Sequence, residues 1–149
     1  MRRRSWGWAT GLAVTTGLGL AAGPSTAQPG DAVLGRWRTT AQNGVVEIER
    51  CGAALCGRLV DAAALRANPD QRDVRNRRSA LRERPIKGLV VLQDFSGGPQ
   101  TWSGGPLYDP ESGQSAATGR LTLAEPDRLT VQACVAPLLC RTQTWTRLR

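Results

Sequence analysis

Residues 45–61 read VVEIERCGAALCGRLVD. In the first half of this stretch Val46 and Ile48 alternate with acidic residues, the two-residue period of a β-strand that has one apolar and one polar face. A second β-type run begins at Cys56, and Cys51 lies just before the turn-like residues that join the two runs. The stretch therefore predicts a β-hairpin with a cysteine on each side of its turn.

The two remaining cysteines, Cys134 and Cys140, repeat this arrangement near the end of the chain. Facing Cα atoms in a hairpin lie about 4.5–5.5 Å apart, which a disulfide can span. We expect two local disulfides, Cys51–Cys56 and Cys134–Cys140. Each would stabilise the fold by about 2 kcal/mol, because the loop that it closes is short. The alternative is a zinc site built from all four thiolates, in a chain that has no histidine.

Short β-type runs separated by turn residues continue along the chain, and Asn43-Gly44 is a strong hairpin signal. We predict eight strands, at residues 33–40, 45–50, 56–61, 87–94, 101–108, 118–124, 129–134 and 141–148. Eight short strands joined mostly by hairpins favour an all-β, antiparallel up-and-down barrel, because ring closure removes the exposed edges. A two-sheet sandwich is the alternative. A barrel of this size either fills with side chains or holds one small ligand.

The beginning of the chain has the features of a secretory signal peptide. Arg2-Arg3-Arg4 is followed by an uncharged, mostly apolar run, and small residues precede Gln28. We predict cleavage after Ala27, which leaves one domain at residues 28–149 and places it in the periplasm or outside the cell. A retained membrane anchor is the alternative, although the run is short for a span. The paired arginines leave open whether export uses the general or the twin-arginine route.

Residues 62–85 interrupt the strand pattern with a long, polar, basic segment. Its arginines are Arg72, Arg75, Arg77, Arg78, Arg82 and Arg84. One interpretation is a solvated, mobile loop, and the other is an anion-binding or partner-docking flap over an open end of the barrel. The formal net charge of the whole chain is +8, so an anionic envelope surface is a candidate partner. Nucleic acid is not expected as a partner.

The residues give little support to catalysis. Without histidine the commonest general base is missing, and paired cysteines leave no thiol nucleophile. The candidate carboxylates are Glu47, Asp94 and Asp109, and their spacing does not predict an acid–base pair. We predict a protein that is not an enzyme and has no cofactor or metal; a carboxylate-dependent enzyme stays as an alternative.

Several ordered motifs resemble the bacterial domain-of-unknown-function 2147 (DUF2147) family over residues 33–148. They are GRWRT at 35–39, VEI at 46–48, CGAALCGRL at 51–59, WSGGPLYDP at 102–110 and RTQTWTR at 141–147. The resemblance implies an exported, lipocalin-like barrel that is presumed to bind a ligand, without an established activity. The arginine-rich segment departs from the family pattern, in which Lys, Pro and Gly are more usual.

Similarity to lipocalins also implies structural roles for Trp37 and Arg147. In that architecture a tryptophan of the first strand packs at the closed end of the barrel, and an arginine of the last strand stacks on it. Arg147 is the natural partner here, because it lies two residues from Trp145 and on the same face. Such a cation–π contact contributes about 0.5–2 kcal/mol, depending on burial.

The predicted function is an exported lipocalin-like protein that binds a small apolar or amphipathic ligand. The candidate cavity walls are Trp102, Tyr108, Trp145, Ile48, Leu121, Leu123 and Val131. The competing outcome is that these side chains fill the barrel. In that case the protein would act through its loops, as an envelope interaction protein or an inhibitor.

Overall fold

The computed structural model describes residues 31–149, so the predicted signal peptide and the predicted domain start at residue 28 lie outside the described residues. A five-residue helix, α1 (Ala63–Ala67), and two short 3₁₀ turns accompany the strands. The strands are β1 (Gly35–Arg38), β2 (Val45–Cys51), β3 (Ala54–Asp61), β4 (Val90–Gly97), β5 (Thr101–Gly104), β6 (Leu107–Asp109), β7 (Gln114–Ala116), β8 (Thr118–Glu125), β9 (Arg128–Ala136) and β10 (Leu139–Arg147). Within this part of the chain, no helix is both long and apolar enough to cross a membrane.

The strands form one antiparallel sheet that closes into a barrel. The hydrogen-bonded order runs β3-β2-β1-β10-β9-β8-β5-β4, and β3 also pairs with β4 to complete the ring. The hairpin of β6 and β7 continues from β5 and β8 and is attached through β4. The prediction of an all-β, eight-stranded up-and-down barrel is confirmed, and the two-sheet sandwich is excluded.

A glycine pair divides one long predicted strand, residues 101–108, into β5 and β6. Gly105 has a φ of +148°, and a Cβ built on it would lie 2.4 Å from the carbonyl oxygen of Ala117. Only glycine allows both that backbone conformation and that close approach. The break lets β6 turn away from β8 and form its own hairpin with β7, which extends one end of the barrel.

The two ends of the barrel differ in their connections. The tight β2–β3, β4–β5 and β8–β9 turns lie at one end, together with the 3₁₀ turn Asp31–Val33. The β1–β2, β6–β7 and β9–β10 turns and the long segment 62–89 lie at the other. We call the first the closed end and the second the open end. The Cys51–Cys56 disulfide staples a turn at the closed end, and the Cys134–Cys140 disulfide staples one at the open end.

A tryptophan–arginine contact seals the closed end. The buried indole of Trp37 donates a hydrogen bond to the carbonyl oxygen of Val33 at 2.9 Å. The Arg147 guanidinium stacks on that indole, 4.2 Å from the ring centroid, and donates to the backbone carbonyls of Leu34 and Pro126 at 2.8 and 2.7 Å. Burial lowers the pKa of Arg147, and nearby Asp127 opposes that effect. The contact joins the first strand to the last, as the lipocalin resemblance implied.

Large apolar side chains fill the half of the barrel next to this seal. The most completely buried are Trp37, Trp102, Phe95, Ile48, Leu121 and Leu129. Their burial against one another is the main source of stability, since each large apolar side chain removed from water contributes about 1.5–3 kcal/mol.

Candidate binding cavity at the open end

A cavity of about 790 Å³ occupies the other half of the barrel, within the usual range of about 300–1,000 Å³ for small-molecule sites. Its walls come from β2, β3, β4, β6, β7, β9 and β10 and are mainly apolar. The principal wall residues are Val46, Leu59, Val91, Leu92, Leu107, Val131 and Trp145. Two side chains of segment 62–89, Leu65 and Ile86, are buried against these walls and cover part of the opening.

The predicted wall residues separate into two groups. Tyr108, Trp145 and Val131 line the cavity. The remaining four do not: Trp102, Ile48 and Leu121 are buried in the core of the closed end, and Leu123 packs against that core from a half-buried position. The alternation along a strand predicts which side chains point inward, but it carries no information on depth along the barrel axis. These four predicted wall residues therefore lie in or against the core of the barrel and do not line this cavity.

Charged and polar groups gather at the mouth of the cavity. Arg72, Arg75 and Arg141 line it, as do Asp109 and Glu111. Deeper in, the indole N–H of Trp145 donates to the Gln143 side chain at 3.0 Å. The arrangement gives an apolar interior below a polar, charged opening.

Four exposed apolar side chains also stand at this mouth, and the sequence analysis did not single them out. They are Val74, Val135, Leu138 and Leu139. A signal for three of them was present: residues 135–139, between the second pair of cysteines, read VAPLL. A solvent-exposed hairpin turn usually carries Gly, Asn, Asp or Ser, so this apolar turn was itself unusual.

The basic segment is fixed to the barrel by a buried carboxylate. Asp73 is fully buried and accepts hydrogen bonds from the Tyr108 hydroxyl at 2.5 Å, from Asn76 Nδ2 at 2.8 Å and from Arg84 Nε at 2.8 Å. The Arg84 guanidinium also lies over the Tyr108 ring, 5.1 Å from its centroid. Asn76 and Arg84 belong to the basic segment, whereas Tyr108 belongs to β6. The three hydrogen bonds to Asp73 therefore join the segment to the β6–β7 hairpin.

Burial and the neighbouring carboxylate keep the Tyr108 hydroxyl protonated. Desolvation is the larger cause, the hydrogen bond and charge of Asp73 add to it, and together they raise the pKa of Tyr108 to about 12. A protonated phenol can donate to Asp73, whereas a phenolate would face it with like charge. At neutral pH the contact is therefore a donor–acceptor pair, and its role is to position the segment.

A second contact holds the tip of the β6–β7 hairpin against the same segment. Gly113, with a φ of +69°, lies so close that a Cβ on it would be 1.9 Å from the carbonyl oxygen of Arg75. The Arg75 guanidinium in turn donates to the carbonyl oxygen of Glu111. The segment is therefore packed on the barrel through Asp73 and Arg75, while most of its remaining side chains are exposed to solvent.

The six arginines of the segment have different environments. Arg84 pairs with Asp73, whereas Arg72 and Arg82 donate to backbone carbonyls within the segment. Arg77 and Arg78 are exposed, and among residues 31–149 neither guanidinium has a partner, although the backbone N–H of Arg78 donates to Asn76 Oδ1 at 2.9 Å. Only Arg72 and Arg75 line the cavity.

The candidate carboxylates are dispersed. Glu47 lies on β2 and forms an exposed ion pair with Arg36, at 3.3 Å, and Asp94 is exposed on β4. Asp109 alone of the three lines the cavity, and there it accepts from the Glu111 amide at 3.0 Å and the Ser112 hydroxyl at 2.6 Å. These bonds give it the ordinary role of an aspartate in a turn.

The closed ring, the sealed end and the cavity at the opposite end define a small lipocalin-like barrel. A family model described as an uncharacterized protein conserved in bacteria (DUF2147) matches residues 35–147, and the chain belongs to this family.

One solved structure supports the same fold. Protein HP1028 from the human pathogen Helicobacter pylori, which belongs to the lipocalin family, superposes with a TM-score of 0.68 at 21% identity. The match covers 78% of this chain and 82% of that chain. No curated protein matches the sequence.

Proposed function

We propose that this protein is an exported, non-catalytic binding protein that holds a small apolar or amphipathic molecule in its barrel. The observation that carries the proposal is the cavity of about 790 Å³, which has apolar walls and a charged mouth. An elongated ligand would place its apolar part against residues such as Leu92 and Val131. Its polar end would then lie near Arg72 and Arg141, where it keeps contact with water.

The lipocalin-like fold supports a binding function, and both disulfides fit an oxidising compartment. Together with the predicted signal peptide they favour the periplasm or the exterior of the cell. The non-catalytic part of the proposal rests on the chemistry of the cavity. All four cysteines are in disulfides, and the aspartate at the mouth, Asp109, is occupied by its own turn.

Titration with an apolar fluorescent probe, N-phenyl-1-naphthylamine, tests the proposal. We expect saturable binding of one probe per chain. Ala133→Trp should weaken it at least about tenfold, because Ala133 lines the cavity and an indole there would occupy the space of the probe. Ala53→Trp is the matched control, since Ala53 is exposed in the stapled turn at the closed end.

Absence of saturable binding in the folded protein would contradict the proposal. That result would favour the second candidate function, an envelope interaction protein or inhibitor that acts through its loops. The observation that favours this candidate is the set of exposed apolar side chains at the mouth.

A further inference from the structure

The exposed large apolar side chains share one location. Val74 is 60% exposed, Val135 54%, Leu138 101% and Leu139 66%, and all four line the mouth of the cavity. No other large apolar side chain among residues 31–149 is comparably exposed. Single exposed apolar residues are common on proteins, but a cluster around one opening marks a contact surface. We call these four residues the apolar lip.

The backbone of the β9–β10 turn holds two residues of the apolar lip, Leu138 and Leu139, away from the barrel. Leu138 has a φ of +65°, in the left-handed region that glycine and asparagine adopt with less strain. The Cys134–Cys140 disulfide closes the base of the turn, so the leucines cannot fold back toward the core without distorting the hairpin. A strained and fully exposed leucine contributes nothing to folding, which points to a role in binding.

Positive charge flanks the apolar lip. Arg141 follows Leu139 by two residues in β10, is exposed and lines the mouth with Arg72 and Arg75. Two carboxylates also lie there: Asp109 is bonded within its own turn, and Glu111 accepts from Gln42 Nε2 at 2.6 Å. Three arginines against two carboxylates leave the mouth with a formal excess of one positive charge. An apolar patch with arginines beside it matches an anionic lipid surface, in which phosphates lie above the acyl chains.

We propose that the apolar lip docks the open end of the barrel on an anionic lipid bilayer, with Leu138 and Leu139 inserted among the acyl chains and Arg141 at the level of the phosphates. The chain would lie on the membrane surface, and only the tips of its loops would enter the membrane. The cavity mouth would then face the lipid, and an apolar ligand could pass between bilayer and barrel without crossing water.

Two other occupants fit the same surface less well. A second copy of the chain on a two-fold axis would bring Arg141 close to its own equivalent, which places like charges together. A peptide strand could add only along the edge of β10 that faces β1, since β1 pairs with Thr146 and Arg147 alone, and Leu138 and Val74 lie outside that edge. The bilayer alone supplies both apolar depth and negative charge.

Sedimentation with phosphatidylcholine vesicles, with and without phosphatidylglycerol, measures the docking. For the double variant Leu138→Ser/Leu139→Ser we expect the partition coefficient to fall by about a hundredfold, since each leucine withdrawn from an apolar phase loses about tenfold. Ala53→Ser in the closed-end turn is the control and should leave it unchanged. Leu138 and Leu139 are exposed, so both variants should melt like the parent.

Charge is tested with Arg141→Ser. This variant should lose affinity for vesicles that contain phosphatidylglycerol, most strongly at low salt, and should bind neutral vesicles like the parent. Arg128→Ser removes the same charge at the closed end, where Arg128 lies 3.9 Å from Glu125, and should have little effect. Equal losses for the two arginines would show that only net charge matters and would overturn the oriented docking.

Orientation is tested with lipids brominated in their acyl chains. The indole introduced by Leu138→Trp should be quenched, and the one introduced by Ala53→Trp should not. Equal quenching of both, or vesicle binding that survives loss of both leucines, would overturn the proposal. So would a concentration-dependent dimer, seen by sedimentation velocity, that the two serine substitutions abolish.

Docking is separable from the proposed ligand binding, because probe titration reads the cavity in the absence of vesicles.

Discussion

At the scale of single residues, Asp73 and Tyr108 show how a polar pair organises an irregular segment. Asp73 is the only buried charged side chain among the described residues, and it accepts from Asn76 and Arg84 of its own segment and from Tyr108 of β6. Tyr108 was predicted to line the cavity, and it lies there, but its hydrogen bond to Asp73 was not predicted. That contact joins residues 35 positions apart, and no local pattern encodes it.

The raised pKa of Tyr108 leads to a direct prediction. Tyr108 is the only tyrosine in the chain, so the ultraviolet absorbance of tyrosinate reports this residue alone. We expect the native protein to titrate near pH 12 and the protein in denaturant near pH 10, as for a free phenol.

The same shift fixes the direction of a stability change. Because the folded pKa lies above the unfolded one, the stabilising effect is complete below about pH 10 and is lost as the pH rises through 12. Tyr108→Phe should remove that pH dependence, as measured by urea unfolding at each pH. A native titration near pH 10 would show that the hydroxyl is not held against Asp73.

At the scale of elements, the sequence predicted where the strands lie along the chain, but not how deep in the barrel their inward-facing side chains lie. All eight predicted runs contain strand residues in the barrel, because alternation and turn residues are local signals. The Gly104-Gly105 pair lies inside one predicted run, residues 101–108, and breaks it so that the β6–β7 hairpin can start. The depth of a side chain along the barrel axis depends on how neighbouring strands are staggered. That stagger is set by the closed ring of strands and not by any single strand.

Trp102 illustrates the consequence and provides a test. Its side chain is 1% exposed in the core of the closed end and does not line the cavity. Trp102→Ala should therefore lower the free energy of unfolding by about 3–5 kcal/mol, the usual cost of removing a buried aromatic side chain. Denaturant unfolding measures this loss. A variant that stays folded should still bind the apolar probe, and an affinity loss as large as that of Ala133→Trp would contradict the position assigned to Trp102.

At the scale of the whole molecule, the barrel divides its interior between stability and binding. The filled half carries the large buried side chains, and the hollow half carries the cavity and the apolar lip. Composition alone left open whether the barrel is filled or holds a cavity, because a barrel of this size can do either with so few aromatic residues. The structure contains both outcomes, one at each end.

Export belongs to the same scale, because it determines which partners the open end can meet. When the whole chain is expressed in a bacterial host, we expect the periplasmic or secreted fraction to contain protein that begins at Gln28, as read from its intact mass. Replacing Arg2, Arg3 and Arg4 with serine should reduce that fraction. Recovery of uncleaved chain from the membrane fraction would instead support the retained anchor.

The contact between Arg147 and Trp37 has a mechanical consequence. β1 begins and β10 ends side by side, so a pulling force applied at these two points would load their antiparallel pairing from one edge. Such a geometry opens by peeling, one hydrogen bond after another, and resists force less than strands that must slide past each other. The first bonds in line would be those from Arg147 to the backbone of Ala32 and Leu34. The barrel should thus be weakest under tension at the seam where its stacked arginine closes it.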